Sequence, residues 1–177
     1  MQANTPSGQG IAHSRWVVEH VAADDPRAVA LQEAMGAEIG PRYADRHGGN
    51  LANLEGRTDH PAGTITPESV LTTVLVTDEQ NRPVAQGLLR DLDGTPEVKR
   101  VYVVPEARGK GAASTLMDAL EEAARATGAP RLILQTGDRQ PDAEALYQKR
   151  GWQRIPIYWP YIAADYSRCY EKVFRHG

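Results

Sequence analysis

One cysteine, Cys169, stands among 177 residues. That excludes an internal disulfide framework and zinc-cysteine sites, and it fits a reducing compartment. Cys169 alternates within a predicted strand, where a single buried thiol is inert rather than nucleophilic. His13, His20, His47, His60 and His176 show no ligand spacing, so no metal is expected. A formal net charge of −3 and the lack of a basic run exclude a nucleic-acid binder that works by its general field. No apolar run reaches transmembrane length, and the opening MQANTPSGQG lacks the cationic and apolar regions of a leader. A cytoplasmic protein with no membrane partner is therefore expected. No G-x-S-x-G elbow is present for a serine hydrolase.

What the chain has is an ordinary globular composition, 41% hydrophobic and 24% charged, and length enough for one domain with a sizeable core. Residues 1–14 are small and polar and are expected to be a disordered tail, with one domain over 15–177. Trp16–Val21 reads as a short strand. Asp24-Asp25-Pro26 opens a helix whose core face is Ala28, Leu31, Met35 and Ile39, stopped or kinked at Gly40-Pro41. Residues 41–69 are dense in Gly, Pro, Asn and Asp, with a short helix near Leu51–Leu54. A segment this irregular suits a binding loop or a lid. Val70–Thr77 and Pro83–Arg90 read as a hairpin, and Asp91-Leu92-Asp93-Gly94 as a further turn. Arg131–Thr136, Trp152–Ile155 and Ser167–Phe174 read as strands, and Asp142–Arg150 as a short helix closed by Gly151.

The most informative stretch is Glu97–Thr127. Val98–Val104 is a β-branched strand that Pro105 ends. Arg108-Gly109-Lys110-Gly111-Ala112-Ala113 follows as a small, flexible turn. Then comes a helix with Leu116, Leu120 and Ala123/Ala124 on one side and Asp118, Glu121, Glu122 and Arg125 on the other. A glycine-bearing turn into a helix start is an anion site, because the first-turn N–H groups are unpaired and the dipole is positive there. The P-loop and dinucleotide patterns both fail at this position, since Gly111 is followed by alanines and no third glycine comes at the required spacing.

Arg108, Gly111 and Ala113 resemble the [QR]-x-x-G-x-[GA] pyrophosphate loop of the GNAT superfamily of N-acetyltransferases. Gln140, Ala143, Leu146, Tyr147, Gly151 and Trp152 resemble its second signature, [NQ]-x-x-A-x-x-L-Y-x-x-x-G-[FYW], with Gln in place of the commoner Asn. The joint match covers roughly residues 70–175, about 60% of the chain. The resemblance implies an α/β chain with a single-domain GNAT acyl-CoA N-acyltransferase fold. Its mixed sheet of about six to seven strands is flanked by helices and splays into a V between strands 4 and 5. It also implies acetyl-CoA as co-substrate. Arg108 and the N–H groups from Gly109 through Lys110, Gly111 and Ala112 to Ala113 would hold the pyrophosphate. The backbone of Val101, Tyr102, Val103 and Val104 would hold the pantetheine and the oxyanion, and Gln140 would help place the pantetheine. Lys110 reads equally as a solvated loop lysine.

Acetyl transfer to an amine needs a neutral amine and a proton for the leaving thiolate. Alkylamines with a pKa of about 10.4 are mostly protonated at neutral pH, so a base is required. The resemblance nominates Glu97 as that base and Tyr147 as the acid that protonates the thiolate. Glu97 reads equally as a strand-end glutamate paired with Lys99 or Arg100, with a water relay as base, and Tyr147 reads also as a core tyrosine. Asp91 and Asp93 are weaker candidates, since turn aspartates serve turn geometry. The acceptor is expected to be a primary amine on a small cationic metabolite, an aminoglycoside-like drug, or a peptide. Residues 41–69 and the aromatic loop 156–166, with Tyr158, Trp159 and Tyr161, are candidates for its walls. That loop reads equally as a flap over the core or a homodimer contact. The rival readings are a non-catalytic acyl-CoA-binding or sensing domain and an acyltransferase preferring succinyl or longer chains.

Overall fold

Turn chemistry and alternating apolar residues divide most of the chain into short strands. The computed structural model describes residues 15–47 and 64–175. Within them run β1 (Val17–Val21), α1 (Pro26–Ile39), a 3-10 turn (Gly40–Tyr43), α2 (Ala44–His47), β2 (Val70–Thr77), β3 (Pro83–Leu92) and β4 (Thr95–Val103). There follow α3 (Ala112–Ala126), β5 (Arg131–Gly137), α4 (Pro141–Lys149), β6 (Gln153–Ile155) and β7 (Ser167–Val173). The tail expected over 1–14 and the helix expected near Leu51–Leu54 lie outside the described residues.

The strands form one seven-stranded mixed sheet in the order β1-β2-β3-β4-β5-β7-β6. β1 to β4 are an antiparallel meander. Its second hairpin turns at Asp93-Gly94, with φ of +50° and +87°, the left-handed pair that a two-residue hairpin needs. Asp91 and Leu92, expected in that turn, belong instead to β3. α3 then carries the chain to β5, which runs parallel to β4. The two strands pair only at Glu97–Ile133 and Val98–Leu134. Past that point they part, while β5 pairs with β7 along its whole length. This is the V-shaped splay that the resemblance implied.

Before it parts, β4 carries a bulge. Gln86 faces Tyr102 and Leu88 faces Lys99, so three steps on β4 match two on β3. Arg100 takes up the extra residue at φ +58°, and the Gln86 side chain donates to its carbonyl. Glu97, Lys99 and Tyr102 thereby come to the α1 face of the sheet, and Val98 and Val103 to the α3 face. Gly87, opposite the bulge, lies under α3. A Cβ there would sit 3.0 Å from Leu120 Cδ1, so a larger residue would make the Leu120 side chain give way.

α1 starts on Asp25, whose carboxylate accepts the Arg27 N–H at 2.9 Å, with Pro26 in the first turn. Leu31 and Met35 pack on Leu75 and Tyr102. α1 ends at Gly40-Pro41 as expected, and a 3-10 turn and α2 follow directly. On the other face Leu116, Met117, Leu120 and Ala124 bury against the sheet. One residue placed on the solvated side of α3 by its spacing, Glu121, is in fact only 3% exposed. Its carboxylate accepts Arg150 Nε and Trp152 Nε1, each at 3.2 Å, and Lys172 Nζ at 2.8 Å. That cluster ties α3 to α4 and β7. Glu121→Ala takes the carboxylate from Lys172 and from the Trp152 indole N–H and leaves Arg150 with Asp118, so stability should fall by about 3 kcal/mol, read as a lower urea midpoint at unchanged slope.

Candidate active site

Where β4 and β5 part, a groove of about 520 Å³ opens, with Val101–Val103 on one wall and α4 on the other. Among the described residues, the backbone of β4 on this side has no strand to pair with beyond Val98, and a buried strand edge needs hydrogen-bond partners. Of the residues nominated from the sequence, Val101, Tyr102, Val103, Arg108, Gly109, Gly111, Ala113, Gln140 and Tyr147 line the groove. Val104, Lys110 and Ala112 do not. The Val104 N–H bonds Val84 O at 2.9 Å, the Lys110 ammonium turns to Glu106 O at 2.8 Å, and Ala112 packs into the core.

At one end of the groove the turn before α3 forms a cradle. Gly109 and Gly111 have φ of +71° and +90°, which glycine adopts without a Cβ clash. The first helical bond runs from Thr115 N to Gly111 O. The N–H groups of Ala112, Ala113 and Ser114 therefore precede the ladder and are available to an anion. Arg108 crosses from this turn to α1. Its Nε donates to Val103 O at 3.0 Å and its Nη2 to Glu38 Oε2 at 2.7 Å. Tyr102 also donates to Glu38, at 3.0 Å. The Arg108 guanidinium, then the Tyr102 hydroxyl, hold the Glu38 carboxyl below the usual carboxylate range.

A second cavity, about 80 Å³, lies deeper in the splay and shares Ile39, Val101, Gln140 and Tyr147 with the groove. Its polar lining includes Lys99, Gln135 and Thr136. Tyr147 stands at the junction. Its ring packs at 6.0 Å from both Trp152 and Tyr170, and its hydroxyl bonds to none of the described residues. Burial pushes that hydroxyl above its ordinary pKa, so it stays protonated at neutral pH. Tyr147 is more buried than Leu146, the neighbour expected to face the core. Gln140 caps no helix with its side chain and lines both spaces.

Glu97 does not open onto either space. It is fully buried, with Oε1 accepting from Tyr161 at 2.8 Å and Arg90 at 3.2 Å, and Oε2 accepting from Tyr158 at 3.1 Å. Lys99 Nζ is 3.9 Å away. Of the two cations that spacing offered as ion-pair partners, Lys99 takes that place weakly and Arg100 bonds Gln32 instead. The strong partner, Arg90, lies directly across the β3–β4 register. A base must come within hydrogen-bond reach of the proton it removes, and Glu97 is enclosed in this arrangement. The aromatic loop supplies that enclosure through Tyr158 and Tyr161, while Trp159 is 42% exposed.

A clasp that spacing did not reveal closes the groove on the α1 side. Tyr43, fully buried, accepts the Arg139 N–H at 2.9 Å. Arg139 in turn donates to Asp45 at 2.6 Å and to Arg42 O at 2.7 Å. A Cβ on Gly137 would overlap the Tyr43 hydroxyl. A glycine ending a strand was the one visible trace of this contact.

Residues 42–152 match a family model described as the acetyltransferase (GNAT) family. An "IAA acetyltransferase" of Azospirillum brasilense is 41% identical over 79 residues, 45% of this chain and 52% of that one. The chain thus spans about half the length of that relative. A structure from Klebsiella pneumoniae, provisionally assigned as an acyl-CoA N-acyltransferase, is 27% identical with a TM-score of 0.71, covering 89% of this chain and 97% of that one. A GNAT family acetyltransferase from Elizabethkingia anophelis, solved with acetyl-CoA bound, shares the fold at 15% identity and a TM-score of 0.63, over 91% and 99% of the two chains.

The Glu38–Arg108 contact makes a pH-dependent contribution to stability. A carboxyl whose folded pKa is lowered stabilises the fold above its unfolded pKa, and loses that contribution as pH falls through the folded value. The stability gap between the native chain and Glu38→Gln should therefore be open at neutral pH and close in acid, measured by urea unfolding across the carboxylate range.

Proposed function

The chain belongs to the GNAT acetyltransferase family, and from that membership we propose that it moves an acetyl group from acetyl-CoA to a primary amine by direct transfer. The observation that carries the reading is the groove itself. A strand edge that pairs with no strand among the described residues, a helix-start cradle and a buried tyrosine hydroxyl that bonds to none of those residues share one continuous space.

In this reading the N–H groups at the start of α3 hold the diphosphate of CoA. Arg108 flanks them, and exchanging part of its Glu38 contact for a phosphate oxygen keeps its charge compensated. The Val101–Val103 edge supplies backbone hydrogen bonds to the pantetheine, as a sheet edge does to an added strand. Gln140 helps to place that arm. The thioester then reaches Tyr147. The amine nitrogen forms a bond to the acetyl carbon, the carbon–sulfur bond breaks, and Tyr147 gives its proton to the departing thiolate and is reprotonated through water by the proton that the amine loses. Burial keeps Tyr147 protonated until the thiolate charge develops beside it. The amine's own proton passes to water in the deeper cavity, whose polar lining supports ordered water, rather than to the enclosed Glu97. Glu97 holds Arg90, Tyr158 and Tyr161 in place behind that lining.

The acceptor is a primary amine, to be found by screening small cationic amines, aminoglycosides and peptides. The acceptor of the Azospirillum relative joins that panel as a test and not as an assignment. The enclosure of Glu97 favours one rival, an acyl-CoA sensor on the same fold. The two part on turnover, because a sensor binds acetyl-CoA and releases no CoA with any amine.

Two variants test the assignment. Arg108→Ala should weaken acetyl-CoA binding by about 1.5–3 kcal/mol in calorimetry, the range for a charged hydrogen bond. Tyr147→Phe should lower kcat by about 10²-fold with KM changed little, followed by CoA thiol release. An undiminished kcat in Tyr147→Phe would remove the tyrosine from the mechanism.

A further inference from the structure

The cradle that receives the diphosphate is built on glycines, and glycine flanks leave a peptide plane free to turn over. Gly111 adopts φ +90° here but tolerates other values at little cost. The orientation of the Lys110–Gly111 peptide therefore needs a constraint from outside the turn. The constraint comes from the far end of the chain. Trp16 Nε1 donates to Lys110 O at 3.0 Å. The indole is 9% exposed and set in the main core, with the Arg15 guanidinium 5.3 Å from its ring.

Which way this turns the peptide follows from covalent geometry. The Lys110–Gly111 bond is trans, and a planar trans peptide holds its N–H and C=O on opposite sides. Trp16 and Lys110 line a depression of about 400 Å³ behind the turn, whereas Gly111 lines the groove in front of it. A carbonyl drawn back to the indole sends the Gly111 N–H forward. The reverse orientation would present a carbonyl oxygen to the phosphate oxygens and repel them.

We infer that Trp16 is a positioning residue for the diphosphate cradle, acting through the Lys110 carbonyl to aim the Gly111 N–H into the groove. The inference rests on the acetyl-CoA reading. It assigns Trp16 no contact with the ligand and no part in the chemistry.

The test compares two ligands, because a residue that merely supports the fold would affect both alike. Acetyl-CoA carries the diphosphate, and S-acetylpantetheine carries the same thioester arm without the diphosphate and its nucleotide. The variants are Trp16→Phe, which removes the N–H and part of the ring, and a chain with 3-benzothienylalanine at position 16. In the second, sulfur replaces N–H at nearly constant shape, so packing is kept if Trp16→Phe folds poorly. Calorimetric Kd values for the two ligands are taken on each chain. The expected result is a threefold to tenfold loss of the advantage that acetyl-CoA holds over S-acetylpantetheine, about the worth of one hydrogen bond. An advantage unchanged in the benzothienyl chain overturns the role of Trp16 and leaves the CoA site standing. A native chain that binds both ligands equally overturns the diphosphate site and this role with it.

Discussion

The structure depends on how briefly β4 and β5 touch. Among the described residues two pairs, Glu97–Ile133 and Val98–Leu134, are all that joins the antiparallel meander to the β5-β7-β6 half of the sheet by backbone pairing. A longer pairing would make a stiffer sheet and would leave no groove. The separation is held from several directions. The bulge at Arg100 turns β4 away, β7 claims the other edge of β5, and α4 places Gln140 and Tyr147 in the gap. Backbone groups left open on β4 are costly to bury without partners, and a ligand threaded along them would make up that deficit.

Since so little backbone spans the gap, side chains must hold the halves together. Two buried carboxylates do much of this. Glu121 gathers Arg150, Trp152 and Lys172 on the α3 side. Glu97 gathers Arg90, Tyr158 and Tyr161 on the opposite face. A buried carboxylate is tolerable only when its lone pairs are filled. That requirement turns each acid into a junction between elements distant in sequence. It also accounts for the enclosure of Glu97, whose two oxygens are occupied by three donors.

The division between what was legible in the sequence and what was not follows distance along the chain. The strand, glycine turn and helix of 95–126 are set by local pattern, as is the order of elements. Gln140 and Tyr147 were legible because they fall in the second signature that the family resemblance rests on. Arg90 was not, since its meeting with Glu97 is a matter of β3–β4 register across a hairpin. Glu121 sits on the polar side of α3 by spacing alone, and its burial comes from donors that arrive from three later positions in the chain. Arg108 reads as a phosphate ligand, yet its partner Glu38 lies on a helix 70 residues earlier. Trp16 and Lys110 are 94 residues apart and meet through a carbonyl, which leaves no side-chain signature.

The fit of Tyr43 against Gly137 has a consequence for anyone redesigning the protein. A Cβ at 137 would collide with the hydroxyl, the ring carbon that bears it and a neighbouring ring carbon, so Phe in place of Tyr43 does not create room. Positions 43 and 137 are therefore one unit of mutation. Combinatorial libraries that diversify either site alone would sample mostly defective chains. Those that pair a small residue at 43 with a side chain at 137 could re-cut the wall between the clasp and the splay and keep the strand pairing intact.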